Sequence, residues 1–125
     1  MANLGYLALA LERAMETYGE QVEQVVLGRR DGLYEESDRA PIGEPLDWLT
    51  AREWLNRSYN DSYGSTDCRP FFAYTASWVF FVHEYDGSTE VKALPRNPMR
   101  IAAEFDGLSD WEYLQATRNN GPVAK

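Results

Sequence analysis

The chain has 125 residues, a net charge of −8 and a pI near 4.6. That length suits one domain, and no apolar run reaches the ~20 residues a membrane-spanning helix needs. The acidity sets the chain against nucleic-acid backbones and anionic membrane surfaces, so neither DNA, RNA nor a membrane is expected as a partner.

A hydrophobic share of 44% and an aromatic share of 14% supply enough material for a core and argue against disorder. Cys68 is the lone cysteine, so no disulfide forms within one chain, which fits a cytosolic setting. Met1-Ala2-Asn3-Leu4 lacks a basic region before an apolar stretch and is not read as a secretory signal. The acidic residues do not form long blocks. They read as a solvated surface before they read as a mimic of nucleic acid. Ten Arg against two Lys (Lys92 and Lys125) offer forked anion contacts, although a codon bias toward Arg explains the count equally simply and is favoured.

Leu4, Leu7, Ala8, Leu11, Ala14, Met15 and Tyr18 recur at helical spacing after a capping Asn3, and Gly19 closes the run. The spacing predicts a long N-terminal helix over 4–18. Val22–Leu27 is short and rich in Val, a strand signature. Arg29–Pro41 reads as a charged loop. Ile42–Leu46 is a candidate edge strand because of Pro45. Thr50-Ala51-Arg52-Glu53 has the form of a capping box, with Leu49 and Trp54 as its staple, and predicts a helix over about 50–57. Asn56–Pro70 is a polar loop carrying Tyr59 and Tyr63.

Phe71–Thr75 and Trp78–Tyr85 predict strands joined near Ala76-Ser77. Trp78–Val82 is apolar on both faces, so that strand is expected to be central and covered on both sides. Asp86-Gly87 signals a two-residue hairpin turn, Glu90–Leu94 is the returning strand, and Pro95 stops it. Ser109-Asp110-Trp111-Glu112 is a second capping box, with Leu108 and Tyr113 as its staple, and opens a short helix to about Thr117. The chain end from about residue 120 is expected to fray. Residues 1–125 are thus read as a single α+β domain: a long N-terminal helix on an antiparallel sheet of four to five strands, plus two short helices.

Catalytic chemistry finds little support. His83 is the only histidine and reads as a satisfied strand residue on the face of Val79, Phe81 and Tyr85. It has no companion His or Cys set for a metal. Neither G-x-S-x-G, G-x-x-x-x-G-K-[ST] nor G-x-G-x-x-G occurs. A carboxylate site for Mg²⁺ from Glu84, Asp86 and Glu90 is disfavoured because Asp86 is already committed to the turn. No metal and no cofactor is expected, and the chain is read as a non-enzyme.

Two polar segments stand out. Tyr85-Asp86-Gly87-Ser88-Thr89 is followed by Pro95-Arg96-Asn97-Pro98. A strand of about six residues between them puts them about 17–20 Å apart, so one chain cannot close both on one small ligand, whereas two chains can. Arg96 is suited to fork onto a phosphate and Asn97 to read a ribose or base edge. On the residues alone, the plainer reading is that Asp86-Gly87 turns a strand and the prolines end it.

Tyr59-Asn60-Asp61-Ser62-Tyr63-Gly64, Asp67-Cys68, Trp78 through Tyr85-Asp86-Gly87-Ser88-Thr89 and Pro95-Arg96-Asn97-Pro98 together resemble the first family of phage anti-Thoeris sponge proteins. The N-terminal helix followed by Val25-Val26-Leu27-Gly28 is similar too, and the likeness covers about residues 4–98. It implies a phage counter-defence protein in the host cytoplasm. Such a protein holds a TIR-made cyclic isomer of ADP-ribose intact between the protomers of a homodimer, some members assembling into hexamers. It further implies Arg96 on the pyrophosphate, Asn97, Asp86 and Thr89 on ribose hydroxyls, and an aromatic platform from Tyr85, Phe81 or Tyr59. The segment after Met99 departs from the pattern, which leaves pocket closure and oligomer size open. The rival reading is an acidic inhibitor of a bacterial defence protein, of anti-CRISPR or anti-restriction type.

Overall fold

The computed structural model describes residues 7–29, 39–56, 61–62, 65–66, 69–85, 88–101, 103 and 106–120, with the main chain alone at 61–62, 65–66, 84–85, 88 and 116–120. In chain order the elements are α1 (Leu7–Tyr18), β1 (Gln24–Leu27), β2 (Pro45–Leu46), α2 (Trp48–Leu55), β3 (Asp61–Ser62), β4 (Ser65–Thr66), β5 (Phe71–Tyr74), β6 (Trp78–Tyr85), β7 (Ser88–Pro95) and α3 (Asp110–Asn120). Five strands form an antiparallel sheet in the order β2-β1-β5-β6-β7, and β3 pairs with β4 apart from it.

The periodic residues of α1 do what their spacing requires. Leu7, Ala8, Leu11, Ala14, Met15 and Tyr18 are all buried, and Gly19 ends the helix at φ +73, its N–H donating to Met15 O at 2.8 Å. At 12 residues the helix is of ordinary length, not the long one expected. Leu4 and the Asn3 cap lie outside the described residues.

Register explains the core. Val25 faces Ala73, which faces Phe80, which faces Ala93, while Leu27 faces Phe71. All six are buried on the face that carries α1 and α2. Burying Phe80 completely contributes about 1.5–3 kcal/mol. The alternate residues Val26, Phe72, Phe81 and Lys92 line the opposite face, beside Gln24, Tyr74, Val79 and Leu94. That face is only partly covered: Phe72 is 54% exposed and Leu94 46%. On that face Val79 and Phe81 are half-buried, Phe81 against the segment that follows β7, so the cover expected on both sides of Trp78–Val82 is partial on the second side.

The starts of α2 and α3 differ in legibility. At α3, Ser109 N donates to Glu112 Oε1 (2.7 Å) and Glu112 N to Ser109 Oγ (3.2 Å), the reciprocal bonds of a capping box. The helix runs on to Asn120, past the expected Thr117. At α2 the cap is Asp47, whose carboxylate accepts from Thr50 N at 2.8 Å. Thr50 is therefore inside the helix, and Leu49, 75% exposed, does not serve as a staple.

Aromatic packing ties the ends of the chain together. Tyr18 stacks on Tyr113 with centroids 3.9 Å apart and meets Trp78 and Phe80 edge-on at 5.0 and 5.1 Å. Burial, then the carboxylate of Asp110, then Tyr113 and Glu112, hold the Tyr18 phenol far above its usual range, so it stays protonated.

Candidate functional site

The β6–β7 hairpin carries both polar segments. Its register runs from Tyr85↔Ser88 at the turn to Trp78↔Pro95 at the other end. Tyr85 pairs with Ser88, and the expected turn residues between them, Asp86 and Gly87, lie outside the described residues. So do Tyr59 and the side chain of Tyr85. Thr89 pairs with Glu84 near the turn, while Arg96 and Asn97 follow the last pair. The strand has 8 residues, longer than expected, so Thr89 and Arg96 stand about 24 Å apart at ~3.4 Å per residue. The two segments are at opposite ends, and one chain does not bring them together. The short β3 lies against β7, which places the segment around Asp61 on the hairpin side of the molecule.

Arg96 is held by a polar knot. The β5–β6 turn is closed by Thr75 N donating to Trp78 O (2.8 Å) and Trp78 N to Thr75 Oγ1 (2.9 Å). Glu20 Oε1 accepts from Thr75 Oγ1 (2.6 Å) and Ser77 N (2.9 Å). Burial pushes the Glu20 carboxyl up, but the bonds from Thr75 and Ser77 together outweigh it and hold the group below the usual carboxylate range. Arg96 N donates to Ser77 O (2.8 Å), Arg96 Nη1 donates to Thr75 O (2.6 Å) and lies 3.5 Å from Glu23 Oε1, and the guanidinium sits 5.7 Å from the Tyr74 ring centre. The expected phosphate fork is thus partly engaged by its own protein. A phosphate reaching it competes with Glu23 for Nη1.

Beyond Asn97 and Pro98 the chain turns back along β7. Ala93 N donates to Leu108 O and Leu108 N to Ala93 O, both at 2.8 Å. Gly107 makes this return possible. Its φ is +79, and a Cβ there would stand 2.9 Å from Ala93 O and 3.0 Å from Phe81 Cζ. Phe81, one of the expected stacking platforms, therefore has its ring tip against Gly107.

The return leaves a groove of about 390 Å³ between β7 and the following segment, lined by Leu94, Arg96, Asn97, Pro98, Met99 and Ile101 among others. Among the described residues lining it none is acidic, in a chain of 20 Asp and Glu. Its volume is at the small end of the ~300–1,000 Å³ typical of ligand sites. Arg96 and Asn97 were legible as site candidates from their proline frame. Met99, Ile101 and Gly107 were not, because only the pairing of Leu108 with Ala93 brings them to the hairpin.

His83 Nε2 lies 3.7 Å from Asp106 Oδ1, an ion-pair distance when the ring is protonated and too long for a hydrogen bond. Among the described residues no group of three or more His, Cys, Asp or Glu side chains is placed to hold a metal ion. Glu84 and Asp86, two of the three carboxylates weighed for Mg²⁺, have side chains outside the described residues. Among the described residues no helix is long and apolar enough to cross a membrane. No family model, curated protein or solved structure matches the chain.

Proposed function

We propose that this chain binds and sequesters a TIR-produced cyclic isomer of ADP-ribose in the host cytoplasm, without degrading it, and so blocks Thoeris immunity. The observation that carries the reading is the groove at the Pro95–Pro98 end. It holds Arg96 and Asn97 with apolar walls and no described carboxylate, in an otherwise strongly acidic protein. Such a pocket admits a ligand that the rest of the surface repels. The separation of Thr89 from Arg96 supports a homodimer, in which the turn end of one hairpin and the stop end of the other serve one ligand, and leaves room for assembly into hexamers.

The test is capture and release. The protein is incubated with the TIR product, filtered, and then heat-denatured. Intact ligand recovered only after denaturation is the expected result. Ligand free in the first filtrate overturns the reading, and chemically altered ligand points to turnover instead.

A second reading is an acidic inhibitor that docks on a bacterial defence protein. The observation favouring it is on α3, where Trp111 is 68% exposed and Leu114 46%. Large aromatics left in water are typical interface anchors. Under this reading, Trp111→Ala abolishes protection of the phage while nucleotide capture is unaffected or absent. Under sequestration, the same substitution leaves protection unchanged.

A further inference from the structure

We propose that the groove beside the end of β7 seats a planar, uncharged heteroaromatic ring of purine size, with the ring's polar edge on the Asn97 amide. This deepens the sequestration reading and rests on it for the identity of the whole ligand. It differs in where it puts the binding energy, because the ring and not the phosphate becomes the anchor.

Three observations lead there. The walls are Leu94, Pro98, Met99 and Ile101, with Ala103 and Gly107 also in the lining. Flat aliphatic surfaces of this kind, a pyrrolidine ring and a thioether among them, favour a flat apolar face. Leu94 is 46% exposed near the end of β7, so covering it removes apolar area from water. Among the described residues the polar side chains of the lining are an amide and a guanidinium. The guanidinium already donates to Thr75 O and faces Glu23, which weakens it toward an added anion. Asn97 is exposed, and its side chain offers a donor and an acceptor side by side, the pattern that a purine edge matches in two parallel bonds. The phosphates of the ligand gain little from a guanidinium so engaged, whereas its uncharged ring gains both wall contacts and edge bonds.

Gly107 and Phe81 act as positioning residues for this slot. Gly107 packs against the Phe81 ring and Ala93 O with no room for a Cβ, and that contact fixes the distance between the returning segment and β7.

The probe is adenosine, with ribose 5-phosphate as the ring-free control, followed through the methyl signals of Leu94, Met99 and Ile101 in the full chain. Adenosine is expected to shift those three signals and ribose 5-phosphate to leave them in place. Ile101→Trp, which fills the slot, is expected to weaken adenosine binding by roughly tenfold or more. Asn97→Leu, on the surface and harmless to folding, is expected to weaken it by several-fold while the wall methyls still respond. Methyl signals that ignore adenosine, or an Ile101→Trp chain that binds it as the original does, overturn the proposal. Capture of the cyclic nucleotide is scored separately. If capture survives in Ile101→Trp, the ring site is wrong and sequestration stands. If the original chain captures nothing yet adenosine moves the methyls, the ring site stands and sequestration falls.

Discussion

Tyr18 at the end of α1 stacks on Tyr113 in α3, with ring centres 3.9 Å apart and planes 27° from parallel. The contact joins residues 95 positions apart in sequence and lies over Trp78, whose ring meets both edge-on. It fastens α3 to the rest of the fold, and with α3 the segment that walls the groove.

Tyr113→Leu keeps most of the apolar volume and removes the stack. A loss of about 1 kcal/mol is expected, read as a lower midpoint in urea unfolding with an unchanged slope. A midpoint equal to that of the original chain would mean that α3 is held by other contacts.

Gly107→Ala forces a side chain into a left-handed backbone position and against Ala93 O. The expected cost is about 1–3 kcal/mol, visible as a lower melting temperature. Gly43 has φ +79 as well, but nothing lies within 4 Å of its added Cβ. Gly43→Ala is expected to cost about 1 kcal/mol from backbone strain alone. Equal losses at the two sites would refute the close packing at Gly107.

Arg96→Ala removes the bond to Thr75 O together with the charge beside Glu23. With the side chain 41% exposed, solvent screening leaves an expected cost of about 1 kcal/mol. Loss of nucleotide capture alone therefore does not identify a ligand contact. Arg96→Lys discriminates, because it keeps the charge and loses the fork. Under a phosphate-fork role Arg96→Lys captures poorly at unchanged stability. Full capture in Arg96→Lys assigns Arg96 to the turn.

Glu20 gives the fold an acid-side dependence. Its folded pKa is below the unfolded value, so its contribution is complete above the ordinary carboxylate range and is lost as pH falls through the folded value. Glu112 behaves the same way, held down first by the backbone bond from Ser109. Asp110 opposes them: burial raises its pKa, the bond from Thr17 works against that, and Glu90 adds to it, so its contribution is lost as pH rises. Glu20→Gln is expected to lower the melting temperature at neutral pH and to flatten its decline as pH falls below the ordinary carboxylate range. A decline as steep as that of the original chain would remove Glu20 from the account.

The legible parts of this fold are those decided by neighbours in sequence. The face of α1, the β6–β7 hairpin and the Ser109–Glu112 cap each depend on residues a few positions apart. Thr50–Glu53 has the same signature as Ser109–Glu112 and still fails, because Asp47 stands three residues before Thr50 and takes its N–H first. Two overlapping caps cannot be ranked without the bonds themselves. The groove depends on Leu108 finding Ala93, and the grip on Arg96 depends on Thr75 and Glu23. Such distant pairings leave no periodic trace, so Arg96 reads in sequence as a free cation and is in fact half committed.

The outer strand β2 consists of Pro45 and Leu46 opposite Val26 and Val25. Proline has no N–H to donate, and two residues make a poor template for another chain. Growth of the sheet is thereby stopped on that side. The other edge of the described five-stranded sheet is β7, where Leu108 already occupies Ala93.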